Sequence, residues 1–231
     1  MDGKDVFSTY NEILLDFQDL LSSSFQNPGR DSTPPIGFIE TVSSKGRKET
    51  LVDLERTIQS CTRCRLAQGR THAVPGMGVL DPLVMVVGEG PGAEEDRQGL
   101  PFVGAAGQFL DKWLGAVGLS RDSNAYIANV VKCRPPGNRD PQGDEVDSCF
   151  PYLIQQVEIV KPKAILAVGR IAAQHLLQTS QGIGSLRGRV HRWRGFPTVA
   201  TYHPSAVLRD MNLKRPVWED LKRLKALLDT L

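Results

Sequence analysis

The sequence predicts an α/β fold, a three-layer α/β/α sandwich around a central four-stranded parallel sheet. Four short apolar runs rich in valine and isoleucine, Leu83–Val87, Tyr126–Val131, Ala164–Val168 and Thr198–Thr201, have the length of buried strands. Helical stretches lie near residues 104–117, 143–160, 170–178 and 216–230, between and after those runs. Strands that alternate with helices pair in parallel, with helices covering both faces of the sheet. At 231 residues and 40% hydrophobic content, the chain can form one well-packed domain, expected over residues 50–231, plus an appendage over residues 1–49.

In the appendage, residues 6–25 carry Tyr10, Ile13, Leu14, Phe17, Leu20 and Leu21 at helical spacing on one face. Asn27 to Pro35 then reads as a linker rich in Pro, Gly and Ser. The helix either caps the main domain or docks a protein partner, and both readings stay open. A formal charge of +2 does not by itself mark a nucleic-acid binder. No apolar run approaches the ~20 residues of a membrane span. Met1 to Asp5 lacks a basic and then apolar leader, so a soluble chain in a reducing compartment is expected. No internal repeat is visible.

All four cysteines fall into one pattern, C-x2-C-x68-C-x15-C, formed by Cys61, Cys64, Cys133 and Cys149. A close pair converges two thiolates on one centre, and two more from distant loops complete four ligands. Disulfides would need an oxidising compartment. Structural zinc more often uses two close pairs, whereas an iron–sulfur cluster tolerates uneven spacing. Spacing alone leaves zinc and iron–sulfur open.

In a parallel sheet the site lies beyond the carboxyl ends of the strands. The first strand runs into Gly88-Glu89-Gly90-Pro91-Gly92, where glycines bring backbone close to a ligand and Pro91 stiffens the turn. The letters fit a dinucleotide loop, but Glu89, Glu94, Glu95 and Asp96 would repel a pyrophosphate. An acid presented for chemistry is the stronger reading. Phe102, on a Pro/Gly-framed loop, is either core or a stacking platform for a planar base. Asn129 sits in the otherwise apolar second strand, and its amide either bonds local backbone or reads a heterocycle edge. Beyond it, Arg134 to Pro141 forms a rigid basic loop able to follow a phosphate backbone. The fourth strand ends in Tyr202-His203-Pro204-Ser205. His203 is the one histidine of four at such an end, able to donate to a developing anion, and Leu208 with Arg209 could wedge into a base stack.

These motifs, together with Lys132-Cys133-Arg134-Pro135-Pro136-Gly137-Asn138-Arg139, resemble the family 4 uracil-DNA glycosylases over roughly residues 50–231. The resemblance implies a [4Fe–4S] cluster on the four cysteines, which selects iron–sulfur over zinc. It implies hydrolysis of the uracil–deoxyribose bond in uracil-containing DNA, in base excision repair, by a prokaryotic cytosolic protein acting as a monomer. Glu89 and His203 would be catalytic, with Glu95 a second candidate to position the water. Gly90, Pro91, Phe102, Asn129 and Ser205 would bind the base. A covalent uracil-binding relative carries an inserted basic loop with a histidine. The segment from Cys133 to Cys149 is short and has none, so turnover is expected. Two rivals remain: a non-enzymatic iron–sulfur module that binds DNA or carries electrons, and, more distantly, a dinucleotide-binding enzyme.

Overall fold

The computed structural model describes residues 44–231. The helix expected over 6–25 and the linker at 27–35 lie outside the described residues. Six strands form one sheet: β1 (Met77–Gly78), β2 (Val84–Gly88), β3 (Ala125–Asn129), β4 (Ala164–Val168), β5 (Val190–Trp193) and β6 (Phe196–Thr201), in the order β1-β3-β2-β4-β6-β5. The four strands read in the sequence form its centre and are all parallel. Two strands that the sequence did not show, β1 and β5, extend the sheet antiparallel at each edge. Both are short and largely unburied, so they lack the apolar runs that reveal a central strand.

The helices are α1 (Ser44–Gln59), α2 (Ala93–Gln98), α3 (Ala105–Ala116), α4 (Gly143–Val160), α5 (Arg170–Leu177), α6 (Ile183–Leu186), α7 (Pro204–Arg209) and α8 (Lys214–Leu228). α1 runs through the boundary expected at residue 50. Every residue of β2, β3 and β4 is buried, and alternate side chains feed opposite layers. Met85, Val87, Tyr126, Ile165 and Ala200 pack with Leu54, Ile58, Leu153 and Leu176 of α1, α4 and α5. Val86, Ile127, Leu166 and Val199 pack with Leu110, Leu114, Val207 and Leu221 of α3, α7 and α8. No helix among the described residues is long and apolar enough to cross a membrane.

Parallel register brings the carboxyl ends of neighbouring strands level. Gly88 is the partner of Asn129, and Val168 that of Thr201. The ladder continues into the loops, with Val130 N–H donating to Gly88 O (2.9 Å) and Val131 N–H to Glu89 O (3.0 Å). Loops that leave the sheet are held by buried carboxylates instead. Asp220 of α8 accepts from Thr201 Oγ1 (2.8 Å), Arg187 Nε (2.9 Å) and Gly188 N–H (3.1 Å).

Two glycines of α3 test the packing in opposite directions. A Cβ on Gly107 would lie 2.0 Å from the carbonyl of Phe102, whereas one on Gly115 meets nothing within 4 Å. Gly107→Ala is expected to lose about 1–3 kcal/mol through overpacking. Gly115→Ala is expected to gain about 0.5–1 kcal/mol by helix propensity. Urea denaturation of both variants reads the two signs.

Candidate active site

A cleft of ≈510 Å³ opens at the carboxyl ends of the central strands. Glu89, Gly90, Pro91, Phe102, Asn129, His203 and Ser205 all line it, as does Glu95. The structure therefore brings together, from four separate loops, the eight residues that the resemblance implied for catalysis and base binding, whereas Leu208, Glu94 and Asp96 do not line the cleft.

Asn129 is 1% exposed, and its Oδ1 is the one buried side-chain nitrogen or oxygen without a partner among the described residues. An orphaned buried acceptor is costly unless a ligand supplies the donor. A Cβ on residue 88 would sit 2.4 Å from that oxygen, so the Gly88 position keeps the space open.

His203 lies two residues beyond β6 and caps α7. Its Nδ1 accepts the Ser205 N–H (3.2 Å) and lies 2.8 Å from Ser205 Oγ. An Nδ1 that accepts a backbone N–H leaves the ring proton on Nε2. Burial drives the imidazole down to about 4, Arg209 pushes the same way, and Glu95 opposes weakly. At neutral pH His203 is thus a neutral N–H donor. Its ring lies 5.7 Å from that of Phe102.

Phe102 is buried with φ of 52°, a left-handed conformation that bulky residues rarely adopt. Two clamps hold it there. Arg121 donates to the carbonyls of Pro101 (2.8 Å) and Phe102 (2.9 Å) and pairs with Asp111. Glu95 Oε1 accepts the N–H groups of Val103 (2.9 Å) and Gly104 (2.8 Å), and its Oε2 that of Gly92 (3.1 Å). Three backbone donors occupy Glu95, and they include the glycine-loop N–H that a pyrophosphate would need.

Glu89 accepts no hydrogen bond from a described residue through its side chain. Burial raises its carboxyl to about 7, Asp140 adds to the rise, and Arg170 opposes it. Asp140 and Arg170 pair with each other across the cleft mouth. Arg139 beside them donates both Nη groups to the fully buried Glu145 of α4 (2.8 and 2.6 Å) and thereby holds that carboxyl below its usual range. Sequence reasoning missed Arg170. Its signal was the Gly169-Arg170 pair at the end of β4, where the strand-end rule already pointed. Glu145 and Asp220 had no such signal, being ordinary acids on helices. The other histidines stay out of the cleft, His72 against Asp96 O (2.9 Å), His191 against Leu186 O (2.7 Å) and His175 against the Phe150 ring.

Cys61, Cys64, Cys133 and Cys149 line a second, small pocket between α1, α4 and the exit of β3. Donors surround their sulfurs: Arg70 Nη1 lies 3.1 Å from Cys133 Sγ, Lys132 N–H 3.2 Å from Cys149 Sγ and Arg63 N–H 3.5 Å from Cys61 Sγ. N–H groups and a guanidinium aimed at sulfur suit thiolates better than neutral thiols. Burial pushes the Cys149 thiol up to about 11, with Cys133 and Cys64 adding to the rise and Lys132 opposing it. Among the described residues, no three His, Cys, Asp or Glu are gathered tightly enough to hold a single metal ion.

Residues 75–222 match the model of the Uracil DNA glycosylase superfamily. Curated relatives named Type-4 uracil-DNA glycosylase include a protein of Pyrobaculum aerophilum, 44% identical over 74% of this chain and 91% of its own. One of Archaeoglobus fulgidus is 41% identical over 76% and 92%, and one of Thermotoga maritima 41% over 78% and 95%.

Glu89 makes stability depend on pH with a definite sign. Its folded value lies above the ordinary 4.5 of an exposed glutamate, so the fold binds the extra proton. That contribution is complete below about pH 4.5 and is lost as pH rises through about 7. Solvent reaches part of the carboxylate, which discounts the effect to roughly 1 kcal/mol. Glu89→Gln is expected to be more stable than the parent at pH 8 and equal to it at pH 4, by thermal melts across that range.

Proposed function

The chain belongs to the uracil DNA glycosylase superfamily, and we propose from that premise that it removes uracil from DNA by hydrolysing the N-glycosidic bond, leaving an abasic site. The observation that carries the reading is the orphaned Asn129 Oδ1 beside a neutral His203, in a cleft that also holds Glu89. Uracil N3–H is a donor flanked by carbonyl oxygens, which matches an acceptor next to a donor. A uridine inside a duplex is out of reach, so the nucleotide must be flipped into the cleft. Phe102 then stacks on the ring, Asn129 Oδ1 accepts N3–H, and His203 Nε2–H donates to the carbonyl oxygen that gains charge as the base leaves.

Glu89 deals with the water. As the C1′–N1 bond lengthens, the sugar gains oxocarbenium character and uracil gains the electron pair. The water oxygen bonds to C1′, and its proton passes to the Glu89 carboxylate, whose raised affinity suits a base working near neutrality. Gly90, Pro91 and Ser205 shape the walls, and Ser205 also fixes the His203 tautomer. Glu95, already saturated, sets the loop that carries Phe102. The basic loop would follow the phosphates, and the exposed Leu208 (45%), next to the cleft-lining Arg209, would supply the wedge that enters the stack.

The four cysteines fit a [4Fe–4S] cluster, because a cube spreads its thiolate ligands wider than a single ion does and the sulfurs already hold N–H donors. When bound, that group pins the Cys61–Cys64 turn to the exit of β3 and supplies no step of the hydrolysis. A DNA substrate and prokaryotic relatives support a location in the cytosol, at the nucleoid.

Uracil release from a labelled oligonucleotide tests the reading. Wild type is expected to leave an abasic site. His203→Ala is expected to lose about 10²–10³-fold in kcat, and Asn129→Leu to lose release while keeping its melting temperature. The acid limb of kcat/KM should fall below about pH 7 as Glu89 protonates. Iron-loaded wild type without release would sink the proposal in favour of a non-enzymatic iron–sulfur module. Cys149→Ser should lower bound iron and the visible absorbance in the same preparations.

A further inference from the structure

The sheet stops short of His203. The ladder between β4 and β6 runs out where Gly169 N–H donates to Thr201 O (2.8 Å), two residues before the imidazole. His203 packs on that same glycine, since a Cβ on residue 169 would lie 3.0 Å from its Cβ and 3.4 Å from its Cδ2. Behind the strand exit stands Asp220 of α8, fully buried. Its Oδ2 accepts the Thr201 hydroxyl (2.8 Å) and Arg187 Nε–H (2.9 Å), and its Oδ1 accepts Arg187 Nη2–H (3.1 Å) and Gly188 N–H (3.1 Å). Arg187 Nη2 also donates to Pro216 O (2.5 Å), and its Cζ lies 5.8 Å from the centre of the Tyr202 ring, which lines the cleft. One carboxylate therefore holds Thr201 directly and Tyr202 through Arg187, and these two residues lead into His203.

Stability alone does not call for this arrangement. A buried ion pair often gives way to well-packed apolar residues at no cost. Valine would fill the Thr201 site and suit a buried strand. What the hydroxyl adds is a fixed place for the chain at the point where the ladder ends. We propose that Asp220 is a positioning residue for His203: through Thr201 Oγ1 and the Arg187–Tyr202 contact, it sets the direction from which the imidazole Nε2–H meets the departing base. The proposal rests on the reading that His203 donates to uracil. A donor aimed at charge that develops only as the bond breaks is used in the transition state, so one that is misaimed lowers kcat and leaves KM unchanged. A misplacement of about 1 Å can cost about 10²-fold. Loss of one of the two ties is a smaller displacement, for which about tenfold is expected.

Thr201→Val removes the single hydroxyl bond and leaves Asp220 paired with Arg187 and Gly188. Steady-state uracil release from a labelled oligonucleotide is measured for wild type, Thr201→Val, Thr201→Ser, His203→Ala and the double variant of His203→Ala with Thr201→Val. Thr201→Val is expected to lose about tenfold in kcat at unchanged KM, and Thr201→Ser, which restores the hydroxyl, to keep the wild-type rate. In the His203→Ala background the valine is expected to cost nothing further, because no imidazole is left to aim. A wild-type kcat in Thr201→Val, or an equal loss in both backgrounds, would overturn the proposal. Asp220→Asn, which keeps an acceptor and removes the charge that draws Arg187, is expected to fall in kcat as Thr201→Val does, and a wild-type rate there sinks the idea as well. Should Asp220→Asn not fold, the threonine variants decide, together with the ¹⁵N spectrum of the imidazoles. In that spectrum the His203 ring signals are expected to move in Thr201→Val while those of His72, His175 and His191 stay, and an unmoved His203 counts against the proposal. Wild type that releases no uracil, or His203→Ala that releases it undiminished, would instead defeat the reading beneath, and both results precede any change at Thr201 or Asp220.

Discussion

Gly88 and Asn129 are partners on adjacent parallel strands, and no side chain fits at residue 88. A Cβ there would lie 2.4 Å from Asn129 Oδ1 and 2.5 Å from the Phe102 ring. The amide and the ring can meet at the sheet edge only because that position is empty. The same register fixes the next residues along both strands. Glu89 is one residue past the edge, with its main-chain oxygen still bound to Val131 N–H, so the carboxylate leaves from a fixed point. Lys132 and Cys133 follow in the segment that leaves β3. An acid and an amide are thus placed by one strand pairing, and shifting it by one residue would turn Asn129 to the opposite face.

Beyond the reach of the sheet, carboxylates take over. Glu95 gathers three N–H groups from two loops, Glu145 receives Arg139 and the Gln142 N–H, and Asp220 joins Arg187, Thr201 and Gly188. Each secures a segment that has no ladder of its own. Such groups add little net stability when complete, and removing one partner typically costs about 3–5 kcal/mol because a buried charge is left unpaired. Their value lies in geometry, since a loop that wanders by an ångström no longer presents Phe102 or Arg139 to the same point.

The central strands, the helices from Ala105, Gly143, Arg170 and Lys214 and the cleft residues were legible because burial writes itself as apolar runs and because strand ends concentrate chemistry. α1 was missed, because only Leu51, Leu54 and Ile58 of its 16 residues are buried. The edge strands were not, since half-exposed residues such as those of Val190–Trp193 carry no apolar run. α2 and α7 are six residues each, too short for periodicity to register. Glu95 was legible as an acid near the site but not as a clamp, because its partners are backbone groups that no side-chain pattern announces. Lys132 stood in a quoted motif, yet its burial depends on Gln156, which lies 24 residues further along and packs from α4.

Phe102 bears a conflict that no substitution at its own position resolves. Its backbone, at φ of 52°, favours glycine or asparagine, while the proposed stacking on a base needs an aromatic face. Residues that would relax the chain abolish the ring, and residues that keep a ring keep the strain. Drift toward other bases would therefore bypass residue 102 and run through its two holders, Arg121 and Glu95, which can tilt the plane of the ring without replacing it. Evolutionary freedom at this wall belongs to the loop's fasteners and not to the residue they present.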